Sequence, residues 1–143
     1  MLHTTQLLAK RLEEGKLSLK QEIKKVVTYH DPCFLGKQNS IFDEPRMLIK
    51  AIPGITFKEL DRSRERSLCC EGGGGRMWVE SSSEAAERLA ETRVKDAAEL
   101  GAEIIATACP FCVLTLEDAV KTSGHEEKIR VMDVAELLAE AIE

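Results

Sequence analysis

The cysteines of this chain fall into three tight groups that are separated by long stretches without any cysteine. Cys33 stands alone, Cys69 and Cys70 are adjacent, and Cys109 and Cys112 form a C-x-x-C pair. Secreted proteins held by disulfides usually have an even number of cysteines in short, loop-rich chains. Five cysteines in 143 residues fit neither description. We therefore expect a cytoplasmic protein whose thiols are reduced and serve a redox or metal site.

The composition of the chain further limits the class of protein to which it can belong. The length of 143 residues suits one domain, because domains most often have roughly 100–150 residues, and 43% hydrophobic residues supply a core. The net charge of −5 gives no sign of the basic face that nucleic-acid binding needs. No apolar stretch approaches the roughly 20 residues of a membrane span, and no signal peptide is visible. We expect any membrane association to come through a partner.

Strand-forming and helix-forming segments alternate along the chain. β-branched and aromatic runs predict strands over residues 24–29, 55–60, 103–107 and 128–132. Apolar spacing and capping signals predict helices over residues 4–14, 44–51 and 81–100, from the C-x-x-C segment to about 123, and from 133 to 142. This alternation predicts an α/β, single-domain Rossmann-like layer fold with a small, mostly parallel sheet flanked by helices.

Two of these helices carry predictions about individual residues. Thr4 or Thr5 is the expected cap of the first helix. The third helix is expected to open with a capping box at Ser81 and Glu84 and to run to Leu100. Its many charges, which include those of Arg88, Glu91, Arg93 and Lys95, predict a solvated face.

The predicted fold brings the cysteines together. Ligands of open parallel sheets bind beyond the carboxyl ends of the strands. Cys33 follows the first predicted strand, and Cys109 follows the third. Cys69 and Cys70 come after the second strand and a charged connection. We therefore expect the thiols to converge at one edge of the sheet.

The C-x-x-C pair leaves two kinds of site open. It lies at a strand-to-helix junction, where a helix N-terminus lowers the thiol pKa and favours the thiolate. Cys109 and Cys112 could therefore act as a redox dithiol or bind a metal. A cluster-free thiol–disulfide oxidoreductase that uses these two residues remains one alternative.

A run of glycines beside the vicinal cysteines favours a bulky inorganic group. Glycine permits positive φ and a close approach of the backbone to a ligand. All-thiolate sites select zinc or iron–sulfur clusters, and a structural zinc ion needs only four ligands. Five thiols favour iron–sulfur, and a zinc-stabilised interaction domain remains the other alternative. The run consists of Gly72, Gly73, Gly74 and Gly75.

These motifs together resemble a known family. The pattern is Cys33, then Cys69-Cys70 before glycines, then Cys109-Pro110-Phe111-Cys112, supported by Tyr29 to Cys33, Pro45-Arg46 and Met77-Trp78. It resembles the cysteine-rich CCG domain of heterodisulfide reductase catalytic subunits. The same domain occurs in the iron–sulfur subunits of glycolate, lactate and anaerobic glycerol-3-phosphate oxidation. The likeness covers nearly the whole chain and is greatest to the C-terminal copy of the domain.

The resemblance implies an electron-transfer or disulfide-reducing module that contains a [4Fe-4S] cluster, of the non-cubane kind in heterodisulfide reductase. The implied ligands are Cys33, Cys69, Cys70, Cys109 and Cys112. Some relatives hold zinc instead. Implied partners are ferredoxin-type or flavin-containing redox subunits or domains, with a disulfide or quinone-linked acceptor. We expect residues 1–143 to be a fragment or split part of a longer subunit and to be inactive alone.

Four further residues near the motifs carry expectations. Glu71 stands where the family motif has glycine, and its charge is expected to lower the potential of a nearby cluster. His30 and Asp31 are expected either to tune the cluster and move protons or to cap their loop. Trp78 is expected to pack at the exit of the glycine loop.

Overall fold

A four-stranded parallel sheet forms the centre of the protein. The computed structural model describes residues 1–79 and 87–142. The strands are β1 (Val26–Tyr29), β2 (Thr56–Phe57), β3 (Ile104–Thr107) and β4 (Arg130–Asp133). Their order is β2-β1-β3-β4, and every pairing in this sheet is parallel. The predicted α/β layer fold is confirmed.

Helices cover both faces of this sheet. One face carries α1, α2 and α5, and the other carries α3 and α4. No helix within the described ranges is both long enough and apolar enough to cross a membrane. The bounds are Thr4–Glu13 for α1, Asp43–Lys50 for α2, Leu89–Glu99 for α3, Pro110–Thr122 for α4 and Val134–Ile142 for α5.

Side chains of the central strands enter two separate cores because successive strand residues point to opposite faces. Ile104 and Ala106 pack with Tyr29 on the side of α1, α2 and α5. Ile105 packs with Leu116 on the side of α3 and α4. Each fully buried aliphatic side chain of this size contributes about 1.5–3 kcal/mol. The central strands are therefore buried on both faces, which fixes the position of the loops that follow them.

The first helix is capped by a residue other than those expected. The cap of α1 is His3, whose Nδ1 accepts from the backbone N–H of Thr5 at 3.2 Å, and Gln6 accepts from the backbone N–H of His3 in return. The prediction of Thr4 or Thr5 was wrong because an imidazole nitrogen accepts the hydrogen bond that a hydroxyl was expected to take.

Two other elements are shorter than predicted. The strand β2 covers only Thr56–Phe57 and pairs only with β1, at the edge of the sheet. The helix α3 begins at Leu89, and residues 87 and 88 are not helical. Ser81 and Glu84, the expected capping box, lie outside the described residues. At this first residue of α3, the backbone N–H of Leu89 donates to the Glu71 carboxylate at 3.0 Å.

Candidate metal centre

The sheet order creates a natural binding position between β1 and β3. These strands are neighbours, but the chain leaves β1 towards β2 on one side and leaves β3 towards β4 on the other. Crevices at such a switch point are where ligands of open α/β sheets bind. Cys33 lies in the loop after β1, before a π-helical turn at Phe34–Gln38. Cys109 is the N-cap of α4, directly after β3.

Thiols from three separate segments line one cavity at this position. Its volume is about 790 Å³, and Cys33, Cys70, Cys109 and Cys112 all contribute to its wall. The described wall residues include no Asp, Glu, Lys or Arg side chain. Cys69 is not among them, but it is exposed beside the cavity and interacts electrostatically with Cys33 and Cys70. The structure therefore places four of the five thiols around one space and the fifth close by.

Two buried sulfurs of the site are in direct contact. Cys70 and Cys112 are 4% and 3% exposed, and their Sγ atoms lie 3.2 Å apart. The hydrogen bond with Cys112 lowers the pKa of Cys70 to about 4. A hydrogen bond with Cys112 also lowers the pKa of Cys109 to about 6. Hydrogen bonds with Cys109 and Cys70 raise the pKa of Cys112. These contacts favour the thiolate form at Cys70 and Cys109 and the protonated thiol at Cys112.

Backbone N–H groups support the vicinal pair. The N–H of Glu71 donates to Cys69 Sγ at 3.3 Å, and the N–H of Gly72 donates to Cys70 Sγ at 3.4 Å. Glu71 has a φ of 63°, the left-handed conformation that glycine adopts most easily. This conformation explains why glycine suits the third position of the motif. The turn at Glu71 lets both N–H groups reach a sulfur.

The carboxylate of Glu71 has its own structural partners. It accepts from the backbone N–H of Leu89, the first residue of α3, and pairs with Arg76 at 3.4 Å. A carboxylate at a helix N-terminus is stabilised by the unpaired N–H groups there. Burial raises the pKa of the Cys69 thiol, and the negative charge of Glu71 adds to this effect. Glu71 therefore ties the cysteine loop to α3 as well as adding charge beside it.

The first glycine of the run packs against the helix that carries Cys112. A Cβ added at Gly72 would lie 2.8 Å from the carbonyl oxygen of Phe111 and would also collide with the Thr115 hydroxyl. By contrast, a Cβ at Gly73 would meet nothing within 4 Å. Gly74 and Gly75 have φ of 63° and 76°. Among the glycines of the run, Gly72, two residues after Cys70, therefore brings the backbone closest to α4.

We expect Gly72→Ala to destabilise the metal-free protein by about 1–3 kcal/mol, because overpacking forces backbone shifts. Gly73→Ala is the matched control and should change stability by less than about 0.5 kcal/mol. Urea unfolding followed by circular dichroism measures both variants. Equal stability of the two variants would contradict the close packing of Gly72 on α4.

Asp31 is buried and anchors its loop. Its two carboxylate oxygens accept from Arg46 at 2.7 and 2.8 Å, and one of them also accepts from the backbone N–H of Arg64. Arg46 further donates to Glu59 and to the carbonyl of Phe42. Burial lowers the pKa of Arg46, but the hydrogen bonds with Asp31 and Glu59 outweigh burial and raise it. These contacts are those of a residue that anchors its loop, which was one of the two expected roles.

His30 faces the thiols instead. Its ring is buried, and its electrostatic interactions include a hydrogen bond with Cys70, whose sulfur lies within 4.8 Å of a ring nitrogen. On the other side of the ring, Nδ1 accepts from Arg93 Nε at 3.2 Å. Thr107 holds the backbone in place by donating to the His30 carbonyl at 3.1 Å. Burial lowers the pKa of His30, which favours the neutral ring. His30, Cys70 and Cys112 also form a buried group whose ligand atoms lie within 4.8 Å of one another.

Arg93 contradicts the expectation of a solvated helix face. Its side chain is 0% exposed, and it also donates to Ser67 Oγ at 3.1 Å. The sequence did contain a signal for this burial, because Ala90, Val94 and Ala97 share its helix face and are buried with it.

Trp78 also departs from expectation. Its side chain is 82% exposed, whereas packing at the exit of the glycine loop would bury it.

Parallel strands that end in a cavity lined by thiols define an α/β domain with a thiolate site at the switch point of its sheet. The chain belongs to the family of the cysteine-rich domain called CCG, whose match covers residues 27–117. The resemblance stated from the sequence motifs is thereby confirmed.

Curated relatives span more than the length of this chain. The chain is 38% identical over 140 residues to "Probable iron-sulfur-binding oxidoreductase FadF" of Bacillus subtilis, and the match covers 98% of the chain and 20% of that relative. It is 40% identical over 146 residues to the EtfAB:quinone oxidoreductase of Syntrophomonas wolfei (99% and 20% covered). It is 41% identical over 142 residues to a component of the dihydromethanophenazine:CoB–CoM heterodisulfide reductase of Methanosarcina barkeri (99% and 34% covered). The chain thus spans only a fifth to a third of these relatives. No solved structure matches it significantly.

Proposed function

We propose that this chain is an iron–sulfur electron-transfer domain of a heterodisulfide-reductase-like oxidoreductase. The observation that carries the proposal is the convergence of thiols from three segments on one cavity, with two buried sulfurs 3.2 Å apart. Membership in the CCG family supports it, as do relatives named as iron–sulfur and heterodisulfide reductase proteins. The proposed cluster is [4Fe-4S], and its proposed ligands are Cys33, Cys69, Cys70, Cys109 and Cys112.

The donor set fits an iron–sulfur cluster. Thiolates are the ligands of such clusters, and Cys70 and Cys109 already favour the thiolate form. The N–H groups of Glu71 and Gly72 would offset negative charge on the sulfurs that they contact. Five thiols exceed the four that hold an ordinary cubane cluster, which favours the non-cubane arrangement. A bound cluster supplies reversible electron transfer, and the apolar wall of the cavity would limit the access of water.

Two other kinds of site would use the same cysteines differently. A zinc-stabilised interaction domain would need only four of the available ligands and would have no redox role. A cluster-free oxidoreductase would use Cys109 and Cys112 as a dithiol. In the structure Cys112 contacts both Cys109 and Cys70, so a third thiol lies beside that dithiol. This arrangement favours a shared metal group over an isolated C-x-x-C pair.

A redox titration tests the proposed function. The chain is reconstituted with iron and sulfide without oxygen, and its visible absorption is followed during stepwise reduction and reoxidation. We expect a brown protein whose absorption bleaches and recovers reversibly. A colourless protein that binds only zinc would contradict the proposal, and so would a metal-free protein whose Cys109 and Cys112 cycle with thioredoxin.

We propose redox proteins as the partners of this domain. Phe34 and Phe111 line the cavity and are both exposed, so an apolar rim surrounds the thiols. Relatives named for EtfAB, quinone and heterodisulfide reductase support flavin-containing or ferredoxin-type partners and a disulfide or quinone-linked acceptor. Since quinones reside in membranes, association with a membrane through such a partner is part of this proposal.

A further inference from the structure

We propose that Arg93 is a positioning residue for the thiol site. It fixes the ring of His30 in the tautomer whose N–H lies on Nε2 and donates to Cys70. His30 is thereby excluded from metal ligation and acts as a hydrogen-bond donor to one of the sulfurs.

The donor chemistry of arginine determines the tautomer. A guanidinium group has only N–H donors and no acceptor. Arg93 Nε lies 3.2 Å from His30 Nδ1, so Nδ1 must present its lone pair to Arg93. In a neutral imidazole the proton is then on Nε2. That nitrogen is the one left to donate to Cys70, whose sulfur lies within 4.8 Å of a ring nitrogen of His30.

This arrangement is the reverse of that around a metal-ligating histidine. A ligating histidine binds with one ring nitrogen and donates the other ring N–H to a carboxylate, a carbonyl or water. His30 has a guanidinium where that acceptor would be. Its second nitrogen therefore carries a proton and cannot coordinate. Although His30, Cys70 and Cys112 are close enough to share an ion, only the two sulfurs are available as ligands.

The environment of Arg93 indicates a role beyond packing. Its side chain is fully buried, and the nearest carboxylate in the described part of the chain, that of Asp96, lies 4.0 Å from Nη1. Within the described ranges, Nη1 has no hydrogen-bond partner. Burial lowers the pKa of Arg93 to about 10. A buried charge without a close counterion costs stability. The contacts that Arg93 does make, to His30 and Ser67, both hold the segments that lead to the cysteines.

The tautomer can be measured without any cluster. Long-range ¹⁵N–¹H NMR spectra of the reduced metal-free chain and of the cadmium-loaded chain distinguish the two neutral tautomers of His30. We expect the Nε2–H form in both states and no coupling of His30 nitrogen to ¹¹³Cd. An Nδ1–H form, or a ¹¹³Cd coupling to His30, would overturn the proposal. Because this measurement uses the unaltered chain, it does not depend on the folding of a variant.

A pair of variants isolates the contribution of Arg93. Arg93→Met removes the donors and should convert His30 into a mixture of tautomers. The control is Arg88→Met, because Arg88 lies in the same region but pairs with Asp118 at the surface. This control should retain the Nε2–H form. An unchanged tautomer in a folded Arg93→Met protein would overturn the proposal.

The consequence for electron transfer rests on the proposed function. Hydrogen bonds to cluster sulfurs stabilise the reduced, more negative state and raise the reduction potential. In the reconstituted chain, His30→Leu should therefore lower the midpoint potential. His30→Gln keeps an N–H donor and should restore part of the shift. Equal potentials of the native and His30→Leu proteins would contradict this step. If the chain takes up no iron, the proposed function fails, while the NMR measurement still decides the tautomer.

Discussion

Replacing Cys70 by serine should remove most of the iron that the reconstituted chain retains. Cys70 is buried, its sulfur lies 3.2 Å from that of Cys112, and its pKa is lowered to about 4. A serine hydroxyl is similar in size but stays protonated at neutral pH. Loss of a partner that only supports a ligand costs about 10–100-fold in metal affinity, so loss of the ligand itself should cost at least about tenfold. Iron retained after a fixed exposure to a chelator measures the effect.

The matched control for this experiment is Trp78→Ala. Trp78 follows the glycine run but is 82% exposed, so its removal should leave iron retention unchanged. Circular dichroism of the metal-free variants checks that both fold. If both variants lost iron equally while remaining folded, Cys70 would have no special role as a ligand.

Replacing Arg46 by methionine should destabilise the protein by about 3–5 kcal/mol, the cost of breaking a buried ion pair. Arg46 and Asp31 are both buried and joined by two hydrogen bonds of 2.7 and 2.8 Å. Without Arg46, the Asp31 carboxylate would keep the N–H of Arg64 but lose its positive partner. Urea unfolding of the metal-free chain measures the loss.

A surface ion pair and a double variant serve as controls for Arg46. Arg130 pairs with Glu140 at the surface, so Arg130→Met should cost less than about 1 kcal/mol. Asp31→Asn combined with Arg46→Met should be more stable than the two single effects predict, because the charge left unpaired is also removed. A cost below about 1 kcal/mol for Arg46→Met would contradict the anchoring role of this pair.

Much of the site geometry follows from local sequence signals. The strand before Cys33 and the strand before Cys109 are rich in β-branched residues, and each is followed within a few residues by a proline. In a parallel sheet these signals are enough to place both cysteines at the same edge. The contact between Cys70 and Cys112 could not be predicted from local signals. It depends on how the long connection after β2 folds back over α4. The close packing of Gly72 on α4 is part of that path.

Other features could not be obtained from local signals because they depend on tertiary contacts. The buried neighbours of Arg93 on its helix face signal its burial, but its partner His30 lies 63 positions earlier in the chain. Likewise, the first residue of α3 uses Glu71, 18 positions earlier, as its hydrogen-bond acceptor. Helix propensity and charge patterns describe neighbours in sequence and carry no information about such distant partners.

The most direct test of the account is the iron, acid-labile sulfide and zinc content of the chain produced and purified without oxygen. We expect about four iron atoms and about four sulfides per chain, with little zinc. One zinc ion per chain without sulfide, together with failure of anaerobic reconstitution, would contradict the assignment of these five thiols to an iron–sulfur cluster.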